Sequence, residues 1–305
     1  MGRIESVVDS AYMLSVDARL ESSDAYVDYQ VLEARRAVPF FAKFFRIEGA
    51  RVLEVGTGRG GKGIAYAQAG MCVTAFDVDA ASLAHAARAA QKHQVDARLL
   101  AADGARLPFV SDYFDAILID SVLEHVADSL AVLQECKRVL KRGGIVFVAF
   151  PPFYAPLSGH IDDFVMIPWF HLLPRSIVKK FLLSRSQPLG ILAPSEAYAV
   201  YTTLNRLTIF RFMREARQAG LHCAYFQARP FLTHPGNRLV VGLMLALRHP
   251  PRLQNLCAVI ARARREFSFG VFLLFLLVSA LTLLVRVPFA QEIAAGGVKA
   301  VLRKG

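Results

Sequence analysis

The stretch that most constrains this chain is R-V-L-E-V-G-T-G-R-G-G-K-G at residues 51–63. A short, largely apolar run, Val52-Leu53-Glu54-Val55, stops abruptly at glycines, and a helical pattern resumes at residues 64–68. This reads as a strand, a tight turn and a helix whose unpaired N–H groups face whatever sits over the turn. Glycine is needed there because a Cβ would block backbone approach to a ligand and disfavour positive φ. The expectation is a seat for a nucleotide-like ligand at the head of an α/β sheet. The glycines alone leave alternatives open. Gly56-x-Gly58-x-x-Gly61 satisfies a dinucleotide fingerprint, and an ordinary glycine-rich turn has the same composition.

The next segments narrow the choice. Residues 71–76 read as a second strand, ending in Asp77-Val78-Asp79. A carboxylate at that strand end lies beside the first turn, where it can accept from both hydroxyls of a ribose, and Asp77 is that residue. Asp79 suits the N-cap of an alanine-rich helix over 80–93. A third strand at 97–101 stops at Ala102-Asp103-Gly104, where Asp103 can accept from an adenine amino group while the Gly104 backbone approaches the ring. Residues 114–120 form a fourth strand, and Ser121 to Val126 open the next helix. An amphipathic helix over 130–140 is closed by Lys141-Arg142-Gly143-Gly144, with cations at the negative helix end and glycine reversing the chain. Residues 145–150 are apolar, as a buried parallel strand requires.

These pieces carry a resemblance. Glu54-x-Gly56-x-Gly58-x-Gly60, Asp77, Ala102-Asp103, Leu107-Pro108-Phe109, Phe114-Asp115, Leu123-Glu124-His125-Val126 and Arg138-Val139-Leu140-Lys141-x-Gly143-Gly144 occur in order. Together they resemble class I S-adenosylmethionine-dependent methyltransferases, in the branch that includes quinone-pathway enzymes, over residues 50–150. The resemblance implies an α/β fold, a doubly wound, seven-stranded, mostly parallel Rossmann-like sheet with an antiparallel last strand. It implies S-adenosyl-L-methionine as cofactor, with Gly56, Gly58 and Gly60 under the methionine moiety, Asp77 on the ribose and Asp103 near adenine, and with Glu54 and Gly104 also in the cofactor-binding set. Asp120 stands where such enzymes commonly have a small residue, and it is either a cofactor- or substrate-side acid or a solvated strand end. A nicotinamide-dependent dehydrogenase would explain Gly61 and Asp77, but not Glu54, Asp103 or the segment at 123–126.

Outside the core the composition changes. Residues 1–150 carry 17 Lys and Arg against 19 Asp and Glu, whereas 151–305 carry 19 against 6, a net +13 that suggests an anionic surface as partner. Four cysteines, Cys72, Cys136, Cys223 and Cys257, have no paired or metal-like spacing, which suits a reducing cytosol and argues against a zinc site. No secretory signal is visible in the first 20 residues. The expected organisation is lid helices at 1–46, a cofactor core at 47–150 and a substrate cap at 151–203. The last core helix and sixth strand follow at 204–228, then an apolar, basic excursion at 229–296 and a closing strand at 297–305. Pro39 should split the lid into two helical pieces, and a helix should run from Leu204 to Gln218.

The cap segment, with Pro151, Pro152, Phe153, Tyr154, Trp169, His160 and His171, should lie over the carboxyl ends of the strands as a greasy substrate wall. His171, set among apolar residues, reads as a packed histidine; for His160 a polar handle on substrate and a solvated side chain are both open. In the excursion, residues 267–285 are uncharged and apolar, about 28 Å long as a helix. Spanning, dipping into one leaflet and packing on the protein are all open. Peripheral attachment to the inner face of the membrane is the expectation, because the closing strand is needed by a cytoplasmic sheet. The expected activity is methyl transfer to an oxygen of an apolar or membrane-associated small molecule, with His125, His160 or Asp120 as base and no nucleic-acid partner. The alternative is a cofactor-binding interaction protein without catalysis.

Overall fold

A computed structural model describes residues 22–161, 165, 167–184, 193–231, 277, 278, 280 and 287–305 of the 305-residue chain. The apolar stretch 267–285 lies outside the described residues, apart from 277, 278 and 280, as does a second apolar run at 239–247 that is too short to span a bilayer.

Helix α1 (Ser23–Phe41) precedes β1 (Arg51–Val55), α2 (Gly61–Gln68), β2 (Cys72–Asp77), α3 (Ala80–Lys92) and β3 (Arg98–Ala101). Then come β4 (Phe114–Asp120), α4 (Ser129–Val139), β5 (Leu140–Phe150), α5 (Arg175–Leu183), α6 (Pro194–Thr203), α7 (Ile209–Gln218), β6 (Leu221–Pro230), α8 (Pro288–Ala294) and β7 (Ala295–Lys304). The strands form one seven-stranded sheet ordered β3-β2-β1-β4-β5-β7-β6. The β1–β2, β1–β4, β2–β3 and β4–β5 pairs are parallel. The sheet is the mixed, mostly parallel, doubly wound one expected, and the tail closes it between β5 and β6.

This order fixes where a ligand can sit. The chain winds outward from β1 through β2 to β3, then returns to place β4 on the other side of β1, with Val55 beside Ile119. The carboxyl ends of β1 and β4 therefore flank a switch-point crevice, into which their following loops project. Rigid walls support it: Val52, Leu53, Ile117, Ile119, Val146 and Val148 are all fully buried.

The chain divides into two compact units. One comprises the described parts of Leu14–Phe150, which start at residue 22, with Leu204–Gln227 and Lys299–Gly305; the other is formed by the described parts of Pro151–Thr203 and Ala228–Val298. The second has its own small core of Ile161, Val165, Phe170, Val178, Leu182, Ala197 and Tyr201.

Four sequence expectations are corrected. Pro39 does not split the lid: α1 runs through it to Phe41. The proline removes one hydrogen bond in the last turn only, and rings hold that turn in place, Phe41 against Phe147 at 4.9 Å and Phe40 against Tyr225 at 5.1 Å. Ser121 to Val126 form a turn rather than a helix start. The Asn205 side-chain amide donates to the carbonyls of Leu123 and Val126 at 2.6 and 2.8 Å, and its N–H donates to Glu124 O at 2.9 Å, so these carbonyls are taken from any helix. The helix begins after Asp128, whose carboxylate caps Ala131 N–H at 3.0 Å. Residues 141–144 belong to β5 rather than to a helix end: Phe114 pairs with Leu140 and Ala116 with Ile145, so a bulge opposes Asp115 alone. Lys141 Nζ is held by Asp115 there at 2.5 Å. Finally, α7 starts at Ile209 because Thr208 caps it, its Oγ1 accepting from Arg211 N–H at 3.1 Å.

Candidate functional site

The turn after β1 is built from glycines with different physical reasons. Gly56, Gly58 and Gly60 all have positive φ, of 65°, 53° and 86°. At Gly56 a Cβ would meet Val122 Cγ2 at 2.6 Å, so the loop after β4 packs directly on the turn. At Gly60 it would meet the Ala86 backbone of α3 at 2.9 Å, and at Gly61 the Val27 carbonyl of α1 at 2.7 Å. Those glycines let protein approach protein. At Gly58 a Cβ would meet nothing within 4 Å, although the backbone is left-handed. Gly58 is thus the position in the turn that presents bare backbone to open space.

Asp77 stands beside it. Its Oδ2 accepts the Gly58 N–H at 2.8 Å and its Oδ1 the Asp79 N–H at 3.0 Å, so the carboxylate is aimed by two backbone donors and each oxygen keeps a further lone pair. The Thr57 N–H donates to Phe76 O at 2.9 Å, locking the turn to the end of β2. Asp79 caps α3 as expected, accepting from the Ala81 and Ser82 N–H groups. Asp103 is exposed after β3, its Oδ1 accepting Ala105 N–H at 2.9 Å, and Gly104 next to it is buried.

Glu54 is buried beneath the turn, where Thr57 Oγ1 donates to its Oε2 at 2.9 Å. Burial pushes its carboxyl up to about 7, against the lowering effects of the Thr57 hydroxyl and Lys62. Its first effect is therefore on stability. The folded protein holds this proton more tightly than the unfolded chain, whose carboxyl titrates near the ordinary 4.5. The Glu54 contribution is then full below pH 4.5 and lost as pH rises to about 7, by about 3 kcal/mol. Glu54→Gln should flatten that part of the stability profile and raise stability at pH 8, measured by urea unfolding across pH 4–8.

Sequence reading missed Lys62. It lies on the first turn of α2, and its Nζ pairs with Asp120 Oδ2 across the crevice at 2.9 Å, the two side chains being 14% and 27% exposed. Burial works to depress the Lys62 ammonium, but Asp120 and Glu33 outweigh it and hold it above its ordinary value. Asp120 is therefore an ion-paired carboxylate at the mouth of the site rather than a solvated strand end. A cation two residues after the glycine Gly60 was visible in the sequence; its partner 58 positions on was not.

The histidines belong to different units. His125 is exposed on the turn held by Asn205, in the same unit as Asp77 and Asp120. His160 and His171 belong to the other unit. His160 is half-buried with φ 55°. His171 is the packed histidine expected: buried, its Nε2 2.7 Å from Phe153 O and its own carbonyl accepting from the Tyr201 hydroxyl at 2.8 Å. Burial holds its imidazole below the usual value despite the Phe153 carbonyl.

Part of the chain is similar to known proteins. Residues 53–148 match the family model described as a methyltransferase domain. A demethylmenaquinone methyltransferase of Renibacterium salmoninarum is 32% identical over 122 residues, covering 39% of this chain and 50% of its own. A ubiquinone biosynthesis O-methyltransferase of Caulobacter vibrioides is 37% identical over 109 residues, 33% of this chain and 41% of its own. The match thus spans half or less of these curated relatives. Among solved structures, a geranyl diphosphate methyltransferase in complex with S-adenosylmethionine superposes with a TM-score of 0.52 at 14% identity, covering 91% of each chain, which shows a common fold.

Proposed function

We propose that this chain, a member of the class I S-adenosylmethionine-dependent methyltransferase family, moves a methyl group onto an oxygen of an apolar, membrane-associated small molecule. The observation that carries the cofactor assignment is Gly58, whose left-handed backbone opens onto space beside a carboxylate aimed by two N–H groups. That pairing suits a ribose with two hydroxyl donors on Asp77 and a methionine moiety over the turn at Gly56, Gly58 and Gly60. Glu54 holds the turn from below through Thr57, and Asp103 with Gly104 would take the adenine. When bound, the cofactor supplies an electrophilic methyl on a sulfonium.

The protein's part is positioning, which for an in-line displacement supplies much of the acceleration. Asp120 enters as a cofactor-side carboxylate whose charge Lys62 maintains. His125, carried on the turn that Asn205 holds, would take the acceptor's hydroxyl proton as the new oxygen–carbon bond forms and the sulfur–carbon bond breaks. The similarity to an O-methyltransferase of ubiquinone biosynthesis supports transfer to oxygen, and the two quinone-related relatives support a small-molecule acceptor.

The test is transfer of labelled methyl from the cofactor into a quinone and lipid extract. Incorporation that falls at least 100-fold in His125→Ala with cofactor affinity unchanged supports the reading. Cofactor binding without incorporation into any extract makes the chain a binding protein instead.

A further inference from the structure

The unit containing the described parts of Pro151–Thr203 carries a surface that its own packing does not consume. Helix α5 turns Val178 and Leu182 into the small core, where both are fully buried. The turn before it and its outer positions leave Leu172 44%, Leu173 41%, Ile177 48% and Leu183 48% exposed. Four half-exposed aliphatic side chains within twelve residues are more than the scattered single exposures of an ordinary surface.

The charges among them have one sign. Residues 167–184 contain Arg175, Lys179 and Lys180, all exposed, and no Asp or Glu. Lys179 lies 5.7 Å from the Tyr198 ring centroid, so its stem follows the protein surface. The chain's single tryptophan, Trp169, borders the same turn: its carbonyl accepts Leu172 N–H at 3.0 Å, and its indole N–H donates to Tyr154 O at 3.0 Å. Exposed aliphatics, cations without acids and a partly exposed indole form the chemistry of an interfacial element. Apolar side chains enter the acyl boundary, ammonium and guanidinium groups meet headgroup phosphates, and indole sits at headgroup depth.

We propose that the surface formed by Trp169, Leu172, Leu173, Arg175, Ile177 and Lys180 docks this protein on an anionic lipid bilayer. The net +13 of residues 151–305 acts in the same direction, drawing that half toward negative headgroups. The inference stands on this surface alone, so a failure of methyl transfer leaves it intact, and its own failure leaves the cofactor site intact.

Because Trp169 is the only tryptophan, its fluorescence reports this surface directly. Full-length protein is mixed with vesicles of phosphatidylcholine alone or with one-quarter phosphatidylglycerol, each with and without bromine-labelled acyl chains. Binding should be at least ten-fold tighter to the anionic vesicles, weaken as salt is raised, and bring bromine quenching of Trp169. Leu172→Ser/Leu173→Ser/Ile177→Ser and Arg175→Gln/Lys180→Gln should each reduce vesicle affinity at least ten-fold with the thermal midpoint little changed. Vesicle binding without Trp169 quenching, or binding that neither variant alters, would overturn the proposal and place attachment elsewhere in the chain. Absence of binding to either vesicle would also overturn it, and leave an acidic protein partner as the occupant to seek.

Discussion

Lys62→Met should lower the unfolding free energy by about 2–3 kcal/mol at pH 7, one of the largest losses expected from any single side chain here. The substitution keeps most of the stem but leaves Asp120 charged in a crevice where its partner stood 2.9 Å away. It also removes the cation that offsets the burial of Glu54. An isolated carboxylate in such a place costs more than the intact pair contributes. Adding Asp120→Leu should therefore restore most of the loss, since both charges are then gone. Urea titrations of the two variants decide the matter. A loss below about 0.5 kcal/mol in Lys62→Met would mean that water screens the pair and that it does not organise the site.

The second large effect separates glycines that look alike in sequence. Gly58→Val should cost cofactor affinity at least 100-fold, because the new side chain fills the open space over the turn. Its effect on stability should be limited to the left-handed backbone, about 1–2 kcal/mol. Gly60→Val should do the reverse in rank. The side chain would be driven into the Ala86 backbone, 2.9 Å from the ideal Cβ, adding overpacking of about 1–3 kcal/mol to the same backbone strain. Calorimetric titration paired with thermal unfolding separates the two. Equal losses of affinity and stability at both positions would mean that the turn acts as one packed unit with no ligand-facing member.

That contrast also marks what the sequence could reveal. The strand order, the turn and the acid at the end of β2 were legible because each is written locally, as an apolar run followed by glycine or aspartate. Gly56, Gly58 and Gly60 read as one ligand cradle, yet Gly56 and Gly60 answer to Val122 and Ala86, which lie 66 and 26 residues further on. The same distance hid Asp120 as the partner of Lys62 and Asn205 as the clamp on residues 123–126. Helix ends failed for a related reason. Asp128 and Thr208 cap their helices, and the long-range bonds from Asn205 take the carbonyls of residues 123, 124 and 126 from an earlier helix start. Pro39 misled because aromatic packing at Phe40 and Phe41 outweighs one lost backbone hydrogen bond. The membrane reading of residues 267–285 falls, apart from 277, 278 and 280, outside the described residues; among the described residues no helix is long and apolar enough to cross a bilayer.

S-adenosylmethionine is expected to bind where Asp77 and Gly58 meet. Titration calorimetry of the full-length protein with S-adenosylmethionine, its demethylated product and NAD tests it most directly, repeated on Asp77→Ala. The first two should bind, and NAD should not bind comparably. In Asp77→Ala, affinity for both should fall by about 1.5–3 kcal/mol, roughly 10- to 150-fold, as charge-assisted hydrogen bonds to the ribose are lost. Equal affinity in the wild type and a folded Asp77→Ala variant, or tighter binding of NAD, would contradict it.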